Sequence, residues 1–404
     1  MFESVPVVPP DPIFSLVARF REDSNPNKIN LTVGAYKNEK GLTPVMSCVK
    51  EAEQHLLESE DSKNYLGIGG LEAFNELTAG LLLGDESSTI RERRSTTIQT
   101  PGGTGALRIA AEYLDKLRPE RKLWIGLPSW SNHMNIFSQA NVEIRHYDYL
   151  DKATRTEVDF ESLVEALLES NEGDAFLFHT CCHNPSGFDL EIDQWEIIFG
   201  FLRERNLLPI FDCAYQGFRD DLDSDVFPLR RMADLGGEFL ICSSNSKNFG
   251  LYGERVGAIT GVCQTTEEAE RLGQYLKSLI RAIYSNPPKH GASIVAAILG
   301  DSTLRQNWEC ELQTVRNRIH EMRQLLVARL NATLGNDHFD FLLQQNGMFS
   351  FTGLQPQETD RLRDEFAIYM LRSGRINVAG VTHENVQRIC DAISIVRKAS
   401  ERPA

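Results

Sequence analysis

Among its eight cysteines the 404-residue sequence has no CxxC pair and no regular spacing, so neither a disulfide framework nor a cysteine metal knuckle is indicated. The adjacent Cys181 and Cys182 cannot easily bridge to each other, and we read all eight as reduced thiols. Long apolar runs are missing too: none reaches the roughly 20 residues a membrane helix needs. Positive charge is in deficit, with 42 Lys and Arg against 57 Asp and Glu and a formal net charge of −15. A surface this acidic repels phosphate backbones, which argues against a nucleic-acid partner. Anionic substrates are still admissible, provided a few arginines are placed locally to receive them. The opening segment Met1 to Asp11 lacks the basic-then-apolar order of a secretory or transit signal, so the expected compartment is the cytoplasm. Internal repeats and low-complexity stretches are absent as well.

What is present is ordinary for a globular protein. Hydrophobic residues make up 41% and charged residues 25%, enough for a sizeable core, and the length suits two folded units. The prolines at 6, 9, 10 and 12 predict an extended arm that either lies on another surface or stays loosely ordered. Periodicity predicts helices over 45–58, 70–83 and 105–117, then over 192–206 and 266–280. Strand-like runs fall at 122–126, 142–147, 175–180, 207–213, 239–243 and 256–262. Such alternation implies an α/β fold, a largely parallel sheet with helices on both faces. After about Asp301 the texture changes. A long helix is predicted over 304–334, strands at 339–344 and 348–352, a helix over 359–371, a strand at 375–379 and a last helix over 384–398. That reads as a smaller α+β unit, with which the arm would pack.

Four polar clusters sit directly behind predicted core strands: Leu127-Pro-Ser-Trp130, His183-Asn-Pro-Ser-Gly187, Asp212-Cys-Ala-Tyr215 and Ser243-Ser-Asn-Ser-Lys247. Ligands of open α/β sheets bind beyond the carboxyl ends of the strands, so these clusters converge on one crevice. Thr100-Pro-Gly-Gly-Thr-Gly105 precedes a helix and could offer backbone N–H groups to an anion. By itself such a turn is usually only a turn. It carries neither the Walker Lys-Ser/Thr ending nor the dinucleotide GxGxxG pattern. Lys247, at a strand end, is of the kind that desolvation fits for Schiff-base chemistry, and Arg255 eight positions later could clamp a phosphate. Taken alone, the pair would pass for a surface lysine and a salt bridge.

The longer motif settles the reading. Ser243-Ser-Asn-Ser-Lys-Asn-Phe-Gly-Leu-Tyr-Gly-Glu-Arg255 resembles the cofactor-lysine motif of the class I pyridoxal-phosphate-dependent aminotransferases. Asn64-Tyr-Leu-Gly67, Gly102-Gly-Thr-Gly-Ala-Leu-Arg108, His183-Asn-Pro-Ser-Gly187, Asp212-Cys-Ala-Tyr-Gln-Gly217, Tyr284-Ser-Asn-Pro-Pro288 and Ser373-Gly-Arg-Ile-Asn-Val-Ala-Gly380 are similar to aspartate aminotransferase segments, in the same order. The resemblance implies the fold of that family: a large domain with a mostly parallel seven-stranded sheet between helices, plus a smaller α+β domain. Residues 1–44 would form the arm and part of the small domain, 45–310 the large cofactor domain and 311–404 the small C-terminal domain. It implies pyridoxal 5′-phosphate as cofactor, with no metal, and transfer of an amino group between aspartate and 2-oxoglutarate.

The same resemblance assigns roles. Lys247 would hold the cofactor as a Schiff base and then shuttle the substrate's α-proton. Asp212 would pair with the pyridine nitrogen, supported by His133, while Tyr215 and Asn184 bond the ring's phenolic oxygen and Trp130 stacks on its face. Gly103, Thr104, Ser244 and Arg255 would hold the phosphate, joined by Tyr65 from a neighbouring subunit. Arg375 would fork the α-carboxylate, Arg281 of the neighbour would take the distal carboxylate, and Gly34 would line the opening. A homodimer with shared sites follows. Two positions depart from the family pattern: Asn245, where an aromatic or apolar residue is usual, and Leu127, where Asn commonly precedes Pro-Ser-Trp.

Other signals are discounted. His179-Thr-Cys-Cys-His183 looks like a metal cluster, but ligands on one extended strand alternate faces. Trp195, Trp308 and Phe199 to Phe201 read as core, and Arg91 to Arg94 and Arg316 to Arg323 as solvated faces. The alternatives are an aminotransferase of aromatic or broad specificity, a lyase on the same fold, and a non-enzymatic relic. The last would be expected to have lost Lys247, Asp212 or Arg375.

Overall fold

The computed structural model describes residues 2–8 and 12–400. Among the described residues eleven strands form three sheets. In chain order they are β1 (Ile29–Asn30), β2 (Ser95–Pro101), β3 (Leu123–Leu127), β4 (Ile144–Asp148), β5 (Ala175–His179), β6 (Leu208–Cys213), β7 (Phe239–Ser244), β8 (Val256–Val262), β9 (Phe349–Phe351), β10 (Ile368–Tyr369) and β11 (Arg375–Asn377). The main sheet has seven strands in the order β2-β8-β7-β6-β5-β3-β4. Every neighbouring pair is parallel except the two that β8 makes, so β8 alone runs backwards. Strands β6, β7 and β8 are buried along their whole length, as expected for a sheet covered on both faces by helices.

The reversal of β8 positions the site. Its first residues pair with the last residues of its neighbours, Val256 with Pro101 and Gly257 with Ser244. Arg255, which precedes β8, therefore meets the carboxyl ends of β2 and β7. Glycine is required where these segments touch: a Cβ on Gly257 would lie 2.5 Å from the Ser243 carbonyl oxygen and 2.6 Å from the Gly102 carbonyl carbon. The helix Gly102–Leu117 starts at this same edge and buries Ala106, Leu107, Ala110, Ala111 and Leu114 on the sheet, the i, i+3, i+4 spacing of one helical face.

The helix Ser302–Leu334 has 33 residues, about 50 Å at 1.5 Å per residue. Asp301 caps it by accepting from the Thr303 and Leu304 amides, and Gly335 ends it in the left-handed conformation. Its Trp308 stacks on Phe249 with ring centroids 4.4 Å apart and donates to the Asn248 carbonyl at 2.7 Å. The long helix thereby braces the segment that follows Lys247.

Around it lie the two small sheets. Parallel β1 and β10 pair Ile29 with Ile368, and antiparallel β9 and β11 pair Phe349 with Asn377 and Phe351 with Arg375. The arm reading extends over Val5, Val7 and Val8, which are strongly exposed; residues 9–11 lie outside the described residues. The helix Pro12–Glu22 follows.

Several expectations need correction. Residues 340–344 form a 3-10 helix rather than a strand, because Phe339 and Leu342, three apart, turn inward together. The helix expected over 359–371 spans Pro356–Phe366 and stops at Ala367, whose φ is +54°; Ile368 and Tyr369 then pair with β1. Strand β2 was not foreseen, its Ser-Thr-Thr-Ile-Gln-Thr run being too polar to stand out. Arg323 is not on a solvated face: it is buried, 3% exposed. All eight cysteines are free thiols, and among the described residues no helix is long and apolar enough to cross a membrane.

Candidate active site

A cavity of about 360 Å³ opens at the carboxyl edge of the main sheet. It gathers Gly34, Gly103, Thr104, Trp130, Asn184, Asp212, Tyr215, Ser244, Lys247, Arg255 and Arg375. All four polar clusters picked out behind the strands reach it, and they arrive from β3, β5, β6 and β7 as strand order dictates.

One end is built for an anion. Gly103 and Thr104 stand in the first turn of the helix Gly102–Leu117, where unpaired backbone N–H groups and the helix dipole favour negative charge. Ser244 and Ser246 hydroxyls lie 3.1 Å apart, and Arg255 reaches Ser246 Oγ at 3.4 Å and the Tyr252 carbonyl at 3.1 Å. Gly102 has φ +73°, and a Cβ there would lie 2.7 Å from Arg255 Nη2. The glycines therefore keep open a cradle that any side chain would fill.

At the centre Lys247 is half-buried and Asp212 buried. The Lys247 Nζ sits 4.7 Å from the centroid of the Tyr215 ring. Burial lowers its pKa and Arg255 adds to that, with Asp212 opposing. Burial would raise the Asp212 carboxyl, but the hydrogen bond from His133 and the charges of His133, His179 and Lys247 outweigh it and hold it below its usual value. His133 Nε2 lies 2.8 Å from Asp212 Oδ2, and its Nδ1 lies 2.8 Å from Ser129 Oγ. Burial pushes the Tyr215 hydroxyl upward, so it stays a donor. Trp130 meets His133 edge-on, ring centroids 5.2 Å apart at 84°.

At the far end Arg375 is 3% exposed. Its Nη2 donates to the Thr32 carbonyl at 2.8 Å and its Nη1 to Asn184 Oδ1 at 3.4 Å, while Nε has no partner among the described residues. Its guanidinium lies over the Phe349 ring at 4.2 Å. Burial lowers its pKa to about 10, with Tyr215 partly opposing. A Cβ on Gly34 would meet Phe349 Cζ at 2.9 Å, so only glycine fits at this wall.

Two sequence-predicted residues stay out of the cavity within one chain. Tyr65 is 93% exposed, and Arg281 points from the exposed side of the helix Thr266–Ile283 toward Ser285. In the other direction, Ile13, Leu107, His179, Ala214, Ser246, Tyr252 and Phe349 line the cavity without having been singled out for it. Ser246 and Tyr252 lay inside the lysine motif, and Phe349 carried no local signal. Of the discounted histidines, His183 bonds Ser186 Oγ at 2.7 Å and stacks on Tyr149. His179 stands with His133 and Asp212, one ligand atom from each within 4.8 Å of the others. Asn245 is buried, and its Oδ1 has no partner among the described residues.

A cradle for phosphate, a half-buried amine, a buried carboxylate braced by histidine and a guanidinium whose Nε has no partner among the described residues fit pyridoxal phosphate and an amino acid carboxylate. Family comparison agrees. Residues 26–393 match the family described as aminotransferase class I and II, and the chain belongs to it. An aspartate aminotransferase of Salmonella typhi is 50% identical over 98% of this chain and 100% of its own length. Among solved structures, the aromatic amino acid aminotransferase of Psychrobacter sp. B6, cocrystallised with aspartic acid, superposes with a TM-score of 0.96. It is 40% identical and covers 98% of this chain and 100% of its own. The aromatic-amino-acid aminotransferase of Burkholderia pseudomallei, covalently bound to pyridoxal phosphate, gives 0.95 at 42% identity, covering 98% and 99%.

Proposed function

We propose that this chain is an aspartate aminotransferase, moving an amino group reversibly between L-aspartate and 2-oxoglutarate to give oxaloacetate and L-glutamate by a ping-pong route. The observation that carries the reading is the convergence of half-buried Lys247 with buried Asp212 and Arg375 in one cavity that has an anion cradle at its other end. The 50% identity to an aspartate aminotransferase along the whole chain supports the substrate.

Gly103, Thr104, Ser244 and Arg255 would hold the phosphate of pyridoxal phosphate, with Lys247 as its covalent anchor. When bound, the cofactor supplies an electron sink that makes the substrate's α-proton acidic. Lys247 Nζ, released when the substrate amine takes its place and favoured in the uncharged form by its lowered pKa, would take that proton from the α-carbon and give it to the cofactor carbon it had held. Asp212, kept ionised by His133, would hold a proton at the ring nitrogen. Tyr215 and Asn184 would bond the ring oxygen, and Trp130 would cover a ring face. Arg375 orients the α-carboxylate by a charge-assisted fork, and Gly34 leaves room at the entrance.

We place Tyr65 and Arg281 in the site of a second copy, Tyr65 on the phosphate and Arg281 on the distal carboxylate, in a homodimer. Their exposure here and that of Val7 and Val8 support this. We keep the division into 1–44 with 311–404 and 45–310, supported by the pairing of β1 with β10, and a cytoplasmic location. A second reading, aromatic or broad specificity, is supported by 41% and 43% identity to aromatic-amino-acid aminotransferases over 98% of the chain. Comparing turnover of aspartate and phenylalanine with 2-oxoglutarate decides between them. Lys247→Ala should abolish the visible absorbance of bound cofactor together with turnover, and an active variant refutes the role.

A further inference from the structure

We propose that Arg323 is a positioning residue for the substrate α-carboxylate: it fixes Phe349, and through Phe349 the guanidinium of Arg375. The inference rests on the reading of Arg375 as the carboxylate fork.

Arg323 projects from the long helix into the interior, 3% exposed. No carboxylate lies within ion-pair distance of it among the described residues. Burial pulls its pKa down to about 10, with Cys182 and Asp189 only partly opposing. An unpaired buried cation is costly, so its surroundings must satisfy it. They do so with one short stretch of chain: Arg323 donates to the Gly347 carbonyl, to Ser350 Oγ at 3.3 Å and to the Phe349 carbonyl at 3.4 Å. A planar fork can serve three such acceptors, whereas an ammonium cannot reproduce that geometry.

The gripped residue is a hub. The ring of Phe349 carries Arg375 on its face at 4.2 Å and meets Tyr215 edge-on at 6.1 Å and 76°. Its Cζ would also lie 2.9 Å from a Cβ on Gly34. Strand β9, which Phe349 begins, pairs with β11, which Arg375 begins. Among the described residues Arg375 itself has two hydrogen bonds, one of them long, and no partner for Nε. The Phe349 face is thus a main determinant of its direction. Two guanidinium groups address the same residue, one holding its backbone and the other lying on its ring.

The alternative is that Arg323 only holds the turn together, and a double-mutant cycle on the holoenzyme separates the two. Wild type, Arg323→Lys, Arg375→Lys and the double variant are assayed for kcat and KM with aspartate and 2-oxoglutarate. Arg323→Lys should raise KM for both substrates roughly tenfold with kcat within about threefold, while bound-cofactor absorbance is unchanged. In the Arg375→Lys background the same change should alter kcat/KM less than about twofold. An equal penalty in both backgrounds, or none in either, overturns the proposal. Should Arg323→Lys fail to fold, Phe349→Leu replaces it in the cycle, and additivity there overturns the proposal equally. A wild-type protein without transamination would sink the functional reading along with the inference, whereas turnover with an additive cycle sinks the inference alone.

Discussion

His183 offers a test of how tightly the site is sealed. It is 3% exposed, stacks on Tyr149 with centroids 3.8 Å apart at 15°, and bonds Ser186 Oγ at 2.7 Å. Burial lowers its pKa well below the ordinary imidazole value, and repulsion from His179 and His133 adds to this. The unfolded chain takes up a proton near pH 6.5 where the folded chain does not. Its contribution to stability is therefore complete above that pH and drains away as pH falls below it. Between pH 8 and pH 5 the unfolded imidazole gains about 1.5 pH units of proton binding, worth about 2 kcal/mol.

His183→Phe keeps the stacking and removes the titration. The lost hydrogen bond should cost about 1 kcal/mol at every pH, leaving the pH dependence as the readout. Unfolding free energies from urea titrations at pH 8 to pH 5 should cross: the wild type, about 1 kcal/mol the more stable at pH 8, loses about 2 kcal/mol relative to the variant by pH 5. Asp225, raised to about 6 by burial, titrates with the opposite sign in both proteins and cancels. Parallel curves would mean that His183 is protonated in the native state and that the loop carrying Asn184 is open to water.

Arg281→Asp should lose dicarboxylic substrates selectively, because removing one partner of a desolvated charge pair costs roughly 2–5 kcal/mol. If that arginine serves the other subunit's site, mixing Arg281→Asp chains with Lys247→Ala chains should restore activity to roughly a quarter of wild type, one intact site per hybrid dimer; no recovery on proven subunit exchange counts against sharing. Asn245→Leu removes a buried amide whose Oδ1 is unpartnered among the described residues. Stability should rise by about 1 kcal/mol, read as a higher melting temperature, and a fall would show that the amide is satisfied by something the protein holds there.

What could be read in the sequence was what lies close along the chain. The buried strands β6, β7 and β8 announced themselves by continuous apolar runs, and the polar residues immediately behind β6 and β7 could be placed at the sheet edge by strand direction alone. Asp212, Tyr215, Ser244 and Lys247 needed no tertiary information. Arg255 did need it. It precedes a strand rather than following one, and only the backward course of β8 brings it to the same edge. The motif resemblance gave the right residue without that reason.

The misreadings share a different cause. Arg323 sits in a run of arginines at helical spacing, which on local grounds is a solvated face, yet one turn of the helix decides whether a guanidinium meets water or the carbonyls of another segment. Those carbonyls lie 24 and 26 residues away, at Gly347 and Phe349, and nothing in the pattern of 316–323 refers to them. Phe349 is just as opaque: a phenylalanine in a strand is core by every local rule, and this one is buried. Its role comes from having Arg375, Tyr215 and Gly34 around a single ring. Chemistry-bearing residues were thus visible because their types are restricted, while the residues that aim them are of ordinary type and declare themselves only by what they touch.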